Sequence, residues 1–122
     1  MTLADVRFSQ RGGALIGQVV GELDMSNSEA VGTAVTETMS PGTDNVVLDL
    51  SEVEYLDSAG IYVIFGLREN LRARGHKLAL VVPEGSPVTD ALRLAGVQRH
   101  TPVAATLEDA LAGLGAAPGK DD

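Results

Sequence analysis

Residues 55–60, Tyr-Leu-Asp-Ser-Ala-Gly, set an acid, a hydroxyl and a glycine directly before an apolar block, Ile61 to Leu67. Two kinds of chemistry suit that arrangement. Asp57 or Ser58 can accept a hydrogen bond from a free backbone N–H and so start a helix, which contributes about 1 kcal/mol. A serine hydroxyl there can instead be modified, and a phosphoserine carries about −1.5 to −2 charges. The rest of the chain offers little competing chemistry. His76 and His100 lie in different segments with no second nitrogen ligand at a useful spacing, and they read as ordinary surface or strand-end histidines. There is no cysteine, so disulfides, zinc-thiolate sites and thiol catalysis are excluded. No phosphate-cradling GxxxxGK[ST] occurs, Gly12 to Gly17 lack its lysine, and no G-x-S-x-G elbow is found. The expectation is a protein without cofactor or metal that is not an enzyme.

Several elements must position Asp57 and Ser58. Apolar and polar residues alternate from Leu3 to Phe8, which predicts a strand, and turn residues 11–13 lead to a second strand over 14–23. Ser26 and Glu29 have the spacing of a capping box, predicting a helix from Asn27 to Met39 with Ala30, Val31, Ala34, Val35 and Thr38 on one face. Val46 to Leu50 form a buried-type strand, and 51–57 read as a loop into a helix over Ser58–Ala73 closed by Gly75. On that helix Ile61, Ile64, Leu67 and Leu71 make one stripe, with Ser58, Tyr62, Gly66, Glu69 and Ala73 opposite. Val63 and Phe65 widen the apolar surface beyond one core contact.

Residues 77–82 form the next buried strand. Ser86 is placed as N-cap, Pro87 as first helical residue and Gly96 as helix stop. A short strand over His100–Val103 and a helix over 106–114 follow. The pattern predicts an α/β sandwich with a mixed, mainly parallel sheet, an N-terminal hairpin and about four helices. One domain is expected over 1–112, with 113–122 as a disordered C-terminal tail rich in Gly, Pro and charge.

Composition bounds the setting. The 122 residues suit one core. With only 3% aromatics and no Trp, that core must be aliphatic. A net charge of −8 argues against nucleic acid and against anionic membrane surfaces, which want basic patches. The longest apolar runs are too short to span a bilayer, and Asp5 and Arg7 interrupt any signal-peptide core. A cytoplasmic protein is expected.

Three ordered segments carry a family likeness: Gly21-Glu22-Leu23-Asp24 closing the second strand, residues 46–61 running strand to loop to helix, and residues 75–97 beyond it. Together they resemble the STAS domain family, and within it the bacterial anti-sigma factor antagonists, over about Val6 to Leu111. The resemblance implies a partner-switching protein. The first hydroxyl residue after the loop Asp is the family's phosphorylation site, and Ser58 holds that position. The implied partners are an ATP-binding serine kinase that is also the anti-sigma factor, and a PP2C-type phosphatase that resets the switch. Asp24 matches a family position near the phosphorylation loop. Asp57, Ala59, Gly60, Tyr62 and Glu69 are the further expected partner contacts. Two departures stand out: Ala59 replaces a frequent Ser or Thr, and Tyr62 a common Gly, which makes this surface bulkier. The macrodipole and free N–H groups of the helix start are expected to tolerate a phosphate. A monomer or weak dimer fits. The same fold also serves as a subunit of lipid-transport ABC complexes or as a stressosome-like scaffold.

Overall fold

A computed structural model describes residues 5–115 of the chain. Its strands are β1 (Asp5–Arg11), β2 (Ala14–Leu23), β3 (Asn45–Leu56), β4 (Lys77–Val81) and β5 (Val103–Ala104). They form one five-stranded sheet in the order β1-β2-β3-β4-β5. β1 and β2 pair antiparallel as a hairpin; the other three pairings are parallel. The helices are α1 (Ser28–Thr38), α2 (Ser58–Ala73), α3 (Thr89–Ala95) and α4 (Leu107–Gly113). The expected mixed, mainly parallel α/β architecture with four helices is what forms. The predicted start of the first strand at Leu3 and residues 116–122 of the tail predicted over 113–122 lie outside the described residues.

Strand alternation divides the core between two faces of the sheet. Leu15, Val19, Val46, Leu48, Leu78 and Leu80 pack under α1, α2 and α3, against Val35, Ile64, Leu71 and Leu92. Ala14, Ile16, Val47, Ala79 and Val81 point the other way, against Ala110, Leu111 and Leu114 of the α4 segment. Leu114, just beyond α4, is buried on this face as well. Among the described residues, no helix is long and apolar enough to cross a membrane.

Five expectations need correction. β3 runs to Leu56, and 51–56 are strand rather than loop. Its register against β2 shifts twice, between Gln18 and Val20 and between Gly21 and Glu22, so β3 accommodates an extra residue at each step. Such bulges destroy strict alternation: here Val53 and Leu56 are buried while Ser51, Glu52, Glu54 and Tyr55 are exposed. Gly21, with φ of 109°, supplies the backbone that the second irregularity needs.

The Ser26–Glu29 capping box does not form. Asn27 is the N-cap of α1, but its side chain bonds Asp24 N–H and the Glu22 carbonyl instead of the first helical turn, while Ser26 turns back to Asp24. On α1 the buried residues are Ser28, Val31 and Val35, whereas Ala30 and Thr38 are exposed. α3 begins at Thr89, not Pro87, since Ser86 spends its hydroxyl on Val88 N–H and its carbonyl on Thr89 N–H in a separate turn. β5 begins at Val103, not His100. The N–H groups of His100 and Thr101 close a 3₁₀ turn (Val97–Arg99) onto Val97 and cannot join a ladder.

Candidate functional site

Because β2 and β3 are parallel neighbours, the segments following Leu23 and Leu56 leave the same end of the sheet. Backbone and side-chain bonds lace them together. Asp57 N–H donates to the Leu23 carbonyl at 3.3 Å. Met25 N–H donates to Asp57 Oδ2 at 3.3 Å. The other Asp57 oxygen, Oδ1, accepts from Ala59 N–H at 2.9 Å and Gly60 N–H at 3.1 Å.

Asp57, then, is the N-cap of α2, which settles which of the two candidate residues starts the helix. It also occupies two first-turn N–H groups that were expected to be free. Ser58, the first helical residue, is exposed, and its hydroxyl makes no hydrogen bond among the described residues.

Asp24 anchors the facing turn. Its Oδ1 accepts from Ser26 Oγ at 2.6 Å and from Ser26 N–H at 2.9 Å. Those two donors, the hydroxyl foremost, hold the Asp24 carboxyl below its ordinary value. Its carbonyl accepts from Asn27 and Ser28 N–H, and its own N–H donates to Asn27 Oδ1. Asn27 Nδ2 in turn donates to the Glu22 carbonyl at 2.7 Å. The carboxylates of Asp24 and Asp57 thus sit on two loops that are bonded to each other, beside Ser58.

Gly60, expected as a contact residue, is buried under this junction. A Cβ there would lie 2.5 Å from Leu56 Cδ1 and 2.9 Å from the Leu23 carbonyl oxygen. The glycine lets the helix start sit directly on the ends of both strands. Ala59 is half-buried. Tyr62, one turn beyond Ser58, is 78% exposed, and Met25 is 82% exposed. Both tyrosines of the chain are exposed, in a protein with only four aromatic residues. Glu69 is exposed too, but it lies about 16 Å along the helix from Ser58 by helical rise. There it bonds Arg68 at 2.6 Å and Arg72 at 3.3 Å. The structure therefore gathers Asp24, Asp57, Ala59, Ser58 and Tyr62 at one end and leaves Glu69 near the other.

From Tyr62 an open groove of about 250 Å³ runs between α1 and α2, lined by Glu29, Gly32 and Thr33 on one side and Val63 and Gly66 on the other. Sequence reasoning passed over Met25 and this groove. A large apolar side chain inside the polar loop 24–28 was the available signal for Met25. The groove had none, since it depends on how two helices pack.

The arrangement is a polar, acidic rim with an exposed hydroxyl and exposed Met and Tyr side chains, a mixture found at surfaces that another protein covers. Comparison with known proteins agrees with the fold. The family model described as STAS domain matches residues 5–110. The chain is similar to the anti-sigma-F factor antagonist RsfB of Mycobacterium tuberculosis, 28% identical over 110 residues, covering 89% of this chain and 88% of that one. It is 27% identical over 99 residues to the anti-sigma F factor antagonist of Paenibacillus polymyxa, covering 80% and 84%. The crystal structure of an anti-sigma factor antagonist from Mycobacterium paratuberculosis superposes with a TM-score of 0.81 at 26% identity, covering 91% of this chain and 93% of that one.

Proposed function

Since this chain belongs to the STAS domain family, we propose that it is an anti-sigma factor antagonist that acts by binding and is not itself an enzyme. In its unmodified form it binds a serine-kinase anti-sigma factor and so frees a sigma factor. Phosphorylation at Ser58 releases it, and a PP2C-type phosphatase restores it. It works in the cytoplasm as a monomer or weak dimer, without nucleic acid or membrane. Curated relatives matched over most of their length bear the antagonist name, which supports this reading.

The observation that carries the switch is the division of labour between Asp57 and Ser58. The acid caps the helix, so the serine is exposed and unbonded, available to a kinase without any unfolding. Adding phosphate there costs the fold little, because no hydrogen bond of Ser58 has to break and the positive end of the helix dipole faces the anion. The first-turn N–H groups of Ala59 and Gly60 are already taken by Asp57, so the new charge stays beside an existing carboxylate. Once a partner covers it, a like charge at about 6 Å opposes binding by roughly 2–3 kcal/mol at an effective dielectric of 20. That weakens affinity about 30- to 100-fold. Asp24, Asp57, Ala59 and Tyr62 are the proposed contacts, Gly60 shapes the surface from below, and Glu69 contacts only a partner that extends along α2.

The test uses purified protein with each serine-kinase anti-sigma factor encoded in the source genome. ATP is expected to add one phosphate to the wild type and none to Ser58→Ala, as read by intact mass. Ser58→Glu is expected to weaken binding to the same kinase by about the factor above. Modification at another residue, or equal binding of Ser58→Glu and wild type, would overturn the switch.

A further inference from the structure

A second cavity, of about 390 Å³, opens where the C-terminal half of α2 meets the start of β4 and the segment before β5. Ser58 begins α2 at the C-terminal end of the parallel strands; this cavity lies at their N-terminal end. Arg68, Arg72, His76, Lys77 and His100 line it. The chain has nine Lys and Arg against 17 Asp and Glu, yet three of those nine and both of its histidines converge here.

Helix capping does not account for the convergence. The last carbonyls of α2 are closed by backbone: Leu71 accepts from Arg74 and His76 N–H, and Arg72 from Gly75 N–H. The end of α4, whose Gly113 also borders the cavity, is closed in the same way by Leu114 and Gly115 N–H. Ion pairing accounts for part only. Glu69 takes one nitrogen of Arg68 and one of Arg72. Lys77 makes no ion pair among the described residues, and neither imidazole makes a side-chain hydrogen bond there.

The wall is also held in place. Arg68 Nε donates to the His100 carbonyl at 2.8 Å, tying the segment before β5 to α2. The His100 ring stands edge-on to Phe65 with centroids 5.8 Å apart. Three permanent cations and two imidazoles thus face a shared space of small-molecule size, with one carboxylate between them. Planar guanidinium forks and an ammonium lining one cavity suit the oxygens of a phosphate or diphosphate group.

We propose that this cavity binds a small molecule through a phosphate or diphosphate group, independently of the surface around Ser58. The test titrates full-length, isotope-labelled protein with inorganic pyrophosphate and, separately, glucose 6-phosphate, at fixed ionic strength with sodium sulfate as the competing anion. Amide shifts confined to Arg68–Lys77 and to His100 and Thr101, together with the histidine ring signals, are the expected result. Tighter binding of pyrophosphate assigns an inorganic source, and tighter binding of the sugar phosphate an esterified one; either outcome carries the proposal.

Arg72→Gln with Lys77→Gln removes two exposed cations without touching the core and is expected to lower affinity about tenfold or more. Arg7→Gln with Arg11→Gln, the same loss of two charges on β1, is expected to leave it unchanged. Shifts spread over the whole surface, an equal loss with the β1 pair, or no preference over sulfate would overturn it.

Discussion

At the scale of single residues, the site turns on a choice between two neighbours that composition cannot decide. Asp and Ser are comparable N-caps, and the sequence leaves Asp57 and Ser58 as equal candidates. The deciding fact is that β3 continues to Leu56, which brings the Asp57 backbone to the Leu23 carbonyl and turns its carboxylate onto the N–H groups of Ala59, Gly60 and Met25. Asp57→Ala should therefore cost about 1–2 kcal/mol in urea unfolding, whereas Ser58→Ala should leave the midpoint unchanged. Equal losses for the two would mean that Ser58 shares the cap. Asp24 offers a check by pH. Its folded carboxyl lies below the ordinary 3.8, through its bonds to Ser26. A lowered folded value means that the turn's contribution is complete above about 3.8 and fades only as pH falls through the lowered value. Carbon-detected titration should find Asp24 ionised at pH values where an ordinary Asp is already half protonated, and Ser26→Ala should move its midpoint back up. An unchanged midpoint in that variant would remove Ser26 as the cause.

At the scale of elements, α2 was the most legible part of the chain. Its limits, the buried stripe of Ile64, Leu67 and Leu71, and the exposed opposite side from Ser58 to Ala73 all follow from helical periodicity; Ile61 is only half-buried. β3 was half legible, because two bulges replace the period of two with buried residues at Val53 and Leu56. A capping box was misread at Ser26, since spacing alone does not reveal that Asp24 competes for the same hydroxyl. Gly60 and Gly66, one turn and a half apart on the same helix, make a matched experiment. Gly60→Ala meets Leu56 and the Leu23 backbone and should destabilise by about 1–3 kcal/mol while loosening the loop junction. Gly66→Ala meets nothing within 4 Å and should stabilise by about 0.5–1 kcal/mol, as expected for alanine in a helix interior. Thermal melts of the two variants moving in the same direction would contradict this packing of α2 on the strand ends.

At the scale of the whole molecule, the sheet is a wall shared by two cores of unequal size. α1, α2 and α3 cover one face, while α4 covers part of the other. The alternation in β4, with Leu78 and Leu80 to one side and Ala79 and Val81 to the other, was visible in the sequence only as a continuous apolar run, so the two-sided burial was legible but the partner of each face was not. Leu111→Ala should cost about 2–5 kcal/mol, and the loss should appear as a lower denaturant midpoint with an unchanged slope, because both cores rest on the same strands. A separate early transition would show that α4 comes away alone. The strand order adds one more consequence. Each strand lies beside its predecessor in the chain, so during synthesis every newly emerged strand can dock on the free edge of what has already formed, and none has to be threaded between two paired neighbours. Only the β1–β2 hairpin closes a short loop; each later pairing is parallel and closes across a helical crossover, which slows folding and leaves the growing edge unpaired until the next strand arrives.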